Sequence, residues 1–235
     1  IDDFIPIQIG NKEVVILDPL TQKYGNAIVE KQDDITKVKI HLESGQSLFL
    51  KTENKASQSN WNYTQKIAEP VVLNGNWEVS FDKGGPQLPA NAKIPDLASW
   101  TTLSPEAEAF SGTATYTLHF KAPNVTADAW SLNLGDVRES AQVWLNGTLM
   151  GTAWANPFTL NIGKLKKGQN TLSIKVTNLG ANRIRSMELK GEEWKIFYEI
   201  NMVDKDYKKW DATKWSPTPS GLLGPVSITP LKNNN

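Results

Sequence analysis

Three side chains in the segment TAWANPF, residues 152–158, have the types and spacing of a ligand-binding group. Trp154 and Phe158 offer flat apolar faces, and the Asn156 amide between them both donates and accepts hydrogen bonds. This combination suits a sugar, because an apolar wall joined to a few fixed polar groups can bind both its C–H faces and its hydroxyls. The alternative is structural: Trp154 and Phe158 fill the ends of strands, and Pro157 only starts a strand.

Charged and amide side chains in two further segments are candidates for the same site. GDVRES (135–140) carries Asp136 and Arg138, and NLGANRIRS (178–186) places Asn182 and Arg183 in a predicted loop after a long strand. A guanidinium held by a carboxylate presents a rigid set of donors to hydroxyl or carboxylate groups. The alternative is an ion pair that fixes the loops or docks a neighbouring domain.

Two acidic groups are weaker candidates. DKDYKKWDATKW (204–215) has aspartates at spacings that suit calcium, but it lacks the glycine and the distal glutamate of an EF-hand loop. A solvated loop is therefore favoured, with a structural calcium as the alternative, and no other cofactor or metal is expected. Glu192, Glu193 and Glu199 would form a hydrolytic pair only if a cleft set two carboxyls about 5 Å or about 6.5–9.5 Å apart. We interpret them as surface charges and predict no catalytic residue.

Composition excludes several function classes. Lysine plus arginine equals aspartate plus glutamate at 25 each, which argues against a nucleic-acid-binding protein. The chain has no cysteine, and its two histidines, His41 and His119, lie in predicted strands, so neither a zinc site nor a Ser-His-Asp triad is expected. No apolar run approaches the roughly 20 residues that span a bilayer. No membrane span is predicted.

Alternating apolar residues indicate strands throughout the chain, whereas only SPEAEAF (104–110) suits a helix, of one or two turns. The strands lie about ten residues apart with turn residues between them, which predicts an all-β sandwich or jelly roll. The alternating sets are Val38, Ile40 and Leu42; Trp77, Val79 and Phe81; Tyr116, Leu118 and Phe120; Trp130, Leu132 and Leu134; and Leu172, Ile174 and Val176.

The clearest local signal is the hairpin around Asn146-Gly147. Both residues accept the positive φ angles of a type I′ turn. A two-residue loop pairs Trp144 with Leu149 on one face and Val143 with Met150 on the other. Trp144 is therefore better explained by packing than by ligand contact.

The chain is expected to divide into two parts. Residues 1–68 form a small β-rich unit and a linker, in which the strand 46–52 pairs with the strand 37–43 and the polar segment 53–70 is the linker. Residues 69–232 form the sandwich, covered by a long proline-containing loop at 84–112.

Several motifs resemble a known family in their order along the chain. They are LNGNWEVSF, DLASWTTL with FSGTATYTLHF, LNLGDVRESAQVWLNGTLMGTAWANPFTLNIG, and PSGLLGPVSI. Together they resemble the galactose-binding-like jelly roll of family 2 glycoside hydrolases, and most of all the C-terminal version in α-L-rhamnosidase-type enzymes of family 106. The first block, VVILDPLTQKYGNA, is similar to the end of the β-rich region that precedes this jelly roll.

The resemblance implies a non-catalytic accessory β-sandwich, because the catalytic carboxylates of the family lie in a separate (β/α)₈ barrel that this strand-rich chain has no room for. It implies as partners the catalytic domain of the parent hydrolase and a plant polysaccharide or oligosaccharide. It also implies a periplasmic or secreted bacterial protein. The alternatives are an independent carbohydrate-binding module and a hydrolase active in its own right.

Overall fold

The computed structural model describes residues 1–10, 12–32, 35–196 and 203–234. The N-terminal strands are β1 (Asp2–Ile7), β2 (Glu13–Asp18), β3 (Lys23–Asn26), β4 (Val29–Gln32), β5 (Ile35–His41), β6 (Phe49–Glu53), β7 (Tyr63–Lys66) and β8 (Val71–Val72). The remaining strands are β9 (Trp77–Gly85), β10 (Ala92–Ile94), β11 (Ser111–Lys121), β12 (Ala129–Asn133), β13 (Asp136–Arg138), β14 (Ser140–Leu145), β15 (Thr148–Ala153), β16 (Thr159–Asn161), β17 (Gln169–Thr177), β18 (Gly221–Gly224) and β19 (Ser227–Asn234). The α-helices of the described residues are α1 (Pro105–Glu108) and α2 (Ala181–Leu189).

Two antiparallel sheets form the sandwich. One has six strands in the order β10-β9-β11-β17-β14-β15, and the other has the order β16-β12-β19-β7, with β8 also paired to β19. The predicted alternation is confirmed, since Tyr116 and Ile174 from the first sheet and Trp130 and Leu132 from the second are buried in one shared core. The chain is therefore an all-β sandwich, as its sequence pattern predicts.

The small N-terminal unit has a core of its own. The sheets β1-β5-β4 and β3-β2-β6 enclose Val14, Ile16, Val38, Ile40 and Tyr63. β6 pairs with β2 and not with β5, so the predicted pairing of the strands at 37–43 and 46–52 is wrong. The strands β5 and β6 are neighbours in the sequence but belong to different sheets, and local alternation does not reveal this.

The segment 53–70 does more than link the two parts. It contains β7, which pairs with β19 of the sandwich, while Tyr63 at the start of β7 belongs to the core of the small unit. The linker interpretation is therefore wrong for residues 63–66. The division of the chain at about residue 68 stays a prediction.

The central hairpin forms as its turn residues predict. Asn146 and Gly147 have φ angles of 52° and 84°, and Trp144 pairs with Leu149. The second predicted pair is wrong, because a β-bulge between Val143 and Trp144 places Val143 opposite Gly151 instead of Met150. A bulge adds a residue to one strand, so the register changes within a single hairpin.

Three groups from distant parts of the chain meet inside the sandwich. The Tyr116 hydroxyl oxygen accepts hydrogen bonds from Trp100 Nε1 at 2.5 Å and from the Leu222 backbone N–H at 3.0 Å. Gly221 makes this approach possible, since a β-carbon there would lie 2.5 Å from both the indole nitrogen and the phenol oxygen. Burial raises the pKa of Tyr116 to about 12. The SGLLG motif thus has a packing reason for its first glycine.

The observed helices agree only in part with those predicted from the sequence. α1 is the single turn predicted at 104–110, and Ser104 caps it by accepting a hydrogen bond from the Ala107 N–H. α2 is a nine-residue helix where a loop was predicted at 178–186. Within the described ranges, no helix has the length and apolar character needed to cross a membrane.

Candidate functional site

The predicted Trp154 group lies in the connection between β15 and β16. Trp154 is 59% exposed. Asn156 is exposed as well, whereas Phe158 is partly buried against the sandwich core, and its carbonyl accepts a hydrogen bond from the Leu134 N–H. The indole and the amide are thus open to a ligand, while Phe158 already packs inside the protein.

Asp136 and Arg138 form one ion pair on β13. Arg138 Nε and Nη2 donate to the two carboxylate oxygens of Asp136 at 2.6 and 2.8 Å. The hydrogen bond to Asp136 and its charge raise the pKa of Arg138. This is the carboxylate-held guanidinium expected from the sequence, and both groups are partly exposed.

Asn182 and Arg183 lie together on α2, but their surroundings differ. Asn182 is buried, and its amide bonds with the Thr218 carbonyl and N–H at 2.7 Å each and with Ser220 Oγ at 3.2 Å. Arg183 is exposed and its guanidinium lies over Gly85. Asn182 therefore fixes the segment 218–220 through its hydrogen bonds. Of these two residues, Arg183 is the one that is exposed to solvent.

A cavity lies between the small unit and the sandwich. We call it the inter-unit cleft, with a volume of about 770 Å³. Cavities of this size are typical of small-ligand sites. The small unit contributes residues from the ranges 18–24, 41–48 and 59–66. The sandwich contributes Ser131, Asn133, Pro157, Thr159, Leu160, Asn161 and Leu231.

The floor of the inter-unit cleft is the outer face of the sheet that contains β12 and β16. Ser131 pairs with Asn161, and Asn133 pairs with Thr159. Side chains alternate along a strand, so these four polar residues share one face while Leu132 and Leu160 between them point into the core. The floor is a polar surface supported from below by the sandwich core.

Both asparagines of the floor make the same local turn. Asn133 Oδ1 accepts a hydrogen bond from the Gly135 N–H at 2.8 Å, and Asn161 Oδ1 accepts one from the Gly163 N–H at 2.9 Å. Within the described part of the chain, neither amide nitrogen has a hydrogen-bond partner. Each Nδ2 group therefore keeps its two donors available. The sequence signal is the repeated pattern SLNLG and TLNIG, which sequence reasoning missed.

The walls of the inter-unit cleft combine aromatic and charged groups. Tyr24 is 59% exposed, and Trp61 is half-buried against the small core. Lys66 bonds Glu43 at 2.6 Å, and this hydrogen bond lowers the pKa of Glu43. His41 lies 3.5 Å from the same carboxylate.

The cleft also borders the predicted Trp154 group. The loop of the small unit packs on it at Gly45, where a β-carbon would lie 3.6 Å from the Asn156 carbonyl carbon and from Pro157 Cδ. Pro157 lines the inter-unit cleft, whereas Trp154 lies outside it.

A second depression, of about 620 Å³, lies beside the end of α2. Trp210 lines it and contacts Trp215 edge to face, with ring centroids 5.2 Å apart. Burial would raise the pKa of Glu188, but hydrogen bonds from Lys195 and the Ala212 N–H outweigh burial and lower it. Glu188 therefore ties α2 to the segment 210–215, which gives this depression a structural explanation.

Some of the acidic candidates line this second depression. Glu192 and Glu193 line it and are exposed, whereas Glu199 lies outside the described residues. Asp204 accepts hydrogen bonds from the Asp206 and Lys208 N–H groups, and Asp211 from that of Thr213, so these carboxylates serve their own turns. In the ranges that the structure describes, no three His, Asp or Glu side chains are grouped as metal ligands.

Comparison with known proteins defines the class of domain first. Over 95% of its length the chain superposes on 21% of the rhamnosidase chain from Novosphingobium sp. PP1Y, with 29% identity and a TM-score of 0.73. It also resembles, more loosely, an FMN-binding β-glucuronidase from Facaelibacterium prausnitzii L2-6 (20% identity, 70% of this chain and 23% of that one, TM-score 0.44). No family profile matches the chain. The superposition on the rhamnosidase chain shows that the fold is that of a β-sandwich region of a glycoside hydrolase chain.

A curated relative agrees with this result. A putative β-glucuronidase from Formosa agariphila is 32% identical over 189 aligned residues, covering 71% of this chain and 16% of the relative. The chain is therefore related to glycoside hydrolases and spans only a small part of their length, which confirms the resemblance seen in the sequence.

Proposed function

We propose that the chain is a non-catalytic accessory region of a glycoside hydrolase that supports the catalytic domain of its parent protein. The observation that carries the proposal is the superposition of nearly the whole chain on about a fifth of a rhamnosidase chain. A region of this kind leaves the carboxylate pair to another part of the enzyme. As part of this proposal, the chain divides into a small β-rich unit over residues 1–68 and a galactose-binding-like jelly roll over residues 69–232.

Exposed apolar side chains support a scaffolding role. The small unit leaves Ile1, Ile5, Ile28, Ile35, Phe49 and Leu50 more than a third exposed. Exposed apolar side chains in this number leave apolar area on the small unit that a partner can cover. The partner that we propose is the catalytic domain of the same polypeptide, acting on plant glycans outside the cytoplasm of a bacterium.

Hydrolysis assays test the non-catalytic role. The purified chain is incubated with nitrophenyl α-L-rhamnoside and nitrophenyl β-D-glucuronide, and we expect no release of nitrophenol above the buffer rate. Turnover that disappears in the double variant Glu192→Gln, Glu193→Gln would overturn the proposal. The gene sequence upstream of Ile1 provides an independent test, because the scaffolding role requires an encoded (β/α)₈ barrel in the same reading frame.

Carbohydrate binding is the second candidate function, and the exposed indole of Trp154 favours it. The site predicted from the sequence would use Trp154, Asn156 and Phe158, with Asp136, Arg138, Asn182 and Arg183 as polar contacts. Titration calorimetry of wild type and Trp154→Ala tests this rim site, with the exposed Leu149→Ala as the matched control. Equal affinities for an oligosaccharide in all three proteins would exclude a contact through Trp154.

A further inference from the structure

We propose that the inter-unit cleft is a binding site for a neutral oligosaccharide, with the amides of Asn133 and Asn161 as its main polar contacts. This inference rests on the proposed accessory function and gives it a ligand class and a location. It differs from the predicted rim site, because Trp154 lies outside the cleft.

The floor supplies fixed donors. The turns at Gly135 and Gly163 hold the two asparagine oxygens, so each side chain is oriented before a ligand arrives. A contact that is already oriented loses less conformational entropy on binding, which strengthens binding without additional contacts. The available Nδ2 groups suit ligands rich in acceptor oxygens, as every saccharide is.

The spacing of the floor residues suits a chain of sugars. Asn133 and Asn161 are diagonal neighbours across an antiparallel pair, a relation that places residues roughly 7–8 Å apart. Ser131 and Thr159 complete the same face, so hydroxyl groups flank both amides. Polar contacts at this interval can bind adjacent units of one oligosaccharide.

The walls supply the apolar surface. Tyr24 and Trp61 belong to the small unit and line the cleft. Aromatic rings offer large, rigid contact area together with one polar atom each. A saccharide presents both C–H faces and hydroxyls, and the cleft offers partners for both.

The charges of the cleft favour a neutral ligand. Apart from His41, its ionisable acidic and basic lining residues are Lys23 and Lys66 as cations and Asp18 and Glu43 as anions. Lys66 is engaged with Glu43, and Asp18 bonds the Thr21 hydroxyl and the Leu20 N–H. Equal numbers of opposite charges give no net attraction for a polyanion, in contrast to a site built for uronates.

The first experiment measures affinity and uses serine variants. Serine can accept the hydrogen bond from the glycine N–H two residues on, although more weakly, but it has no amide to reach a ligand. Calorimetry is run with short oligosaccharides of glucose, galactose, xylose and rhamnose, and with oligogalacturonate as the acidic probe. We expect wild type to bind a neutral probe, and the double variant Asn133→Ser, Asn161→Ser to bind it about tenfold or more weakly.

Asn124→Ser is the matched control, since Asn124 is exposed and outside the cleft. It should bind as wild type does, and all variants should keep the wild-type melting temperature within about 2 °C. Equal affinity of wild type and the double variant would overturn the proposal. Tighter binding of oligogalacturonate than of every neutral probe would overturn the ligand class.

A second experiment locates the ligand directly. In ¹H–¹⁵N spectra, the side-chain amide signals of Asn133 and Asn161 and the Trp61 indole signal should move on addition of the neutral probe. Tyr24→Ala should weaken binding, whereas Phe49→Ala, which removes an aromatic ring that is 66% exposed outside the cleft, should not. Shifts confined to Trp154, or no shift with any probe, would refute the cleft site. Neither result changes the hydrolysis test, so the two proposals fail separately.

Discussion

Replacement of the buried Tyr116 by phenylalanine tests the three-part contact inside the sandwich. The variant Tyr116→Phe keeps the ring and removes only the oxygen that accepts from Trp100 Nε1 and from the Leu222 N–H. Tyr116 and Trp100 are fully buried, so water cannot replace the lost acceptor. Each buried donor left without a partner costs about 1–3 kcal/mol.

The expected loss is therefore about 2–6 kcal/mol in the free energy of unfolding. For a chain of this length, each kcal/mol lowers the melting temperature by roughly 2–4 °C. Urea unfolding followed by far-ultraviolet circular dichroism measures the difference, with an unchanged m-value as evidence that the denatured state is the same.

Tyr24→Phe is the matched control, because the Tyr24 hydroxyl is on an exposed residue and makes no hydrogen bond within the described part of the chain. It should change stability by less than about 0.5 kcal/mol. If Tyr116→Phe were as mild as this control, the two hydrogen bonds would not stabilise the sandwich, and the explanation of the SGLLG motif would be wrong.

Further predictions concern the same fold. Because burial raises the pKa of Tyr116 to about 12, the folded state holds this proton to a higher pH than the unfolded state, whose phenol titrates near 10. The free energy of unfolding should thus fall between about pH 10 and 12, by up to about 1.4 kcal/mol per pH unit. In Tyr116→Phe, the free energy of unfolding should depend less steeply on pH over this range. Gly147→Ala should lower the free energy of unfolding by about 1–2 kcal/mol. The positive φ angle alone causes this loss, because a β-carbon at position 147 would have no other atom within 4 Å. Gly221→Ala should cost clearly more, because its β-carbon meets the indole and the phenol, and equal melting temperatures would contradict the close approach. Asn182→Ala should cost about 2–4 kcal/mol through its buried hydrogen bonds, whereas loss of the exposed ion pair in Asp136→Ala should cost less than about 1 kcal/mol, as measured by urea unfolding.

The sequence predicts a structural feature correctly where residues adjacent in the chain determine it. The Asn146-Gly147 turn and the buried alternation of β11 both follow from residues adjacent in sequence. The partner of β6 and the bulge beside Val143 depend on how separate strands meet, and alternation contains no information on that. Pairing of distant strands is a tertiary property.

The helix α2 and the inter-unit cleft were missed for different reasons. α2 lacks a side-chain cap at Gly180, and contacts made by Asn182 with a distant segment help to hold it. The cleft brings residues near 24, 61, 133 and 161 together, and only the repeated SLNLG and TLNIG patterns mark it in the sequence. A site formed between two units has no compact sequence signature.

The position of β19 between β12 and β7 affects how the protein is made. Roughly 100 residues separate Ala129 from its partner Leu231. Because the ribosome adds about 5–20 residues per second, β19 is synthesised about 5 to 20 seconds after β12. In that interval Trp130 and Leu132 lack the strand that completes their sheet. In every nascent chain, β12 therefore lacks its neighbour β19 until translation reaches Ser227–Asn234, and a sheet that is incomplete during synthesis is prone to aggregation.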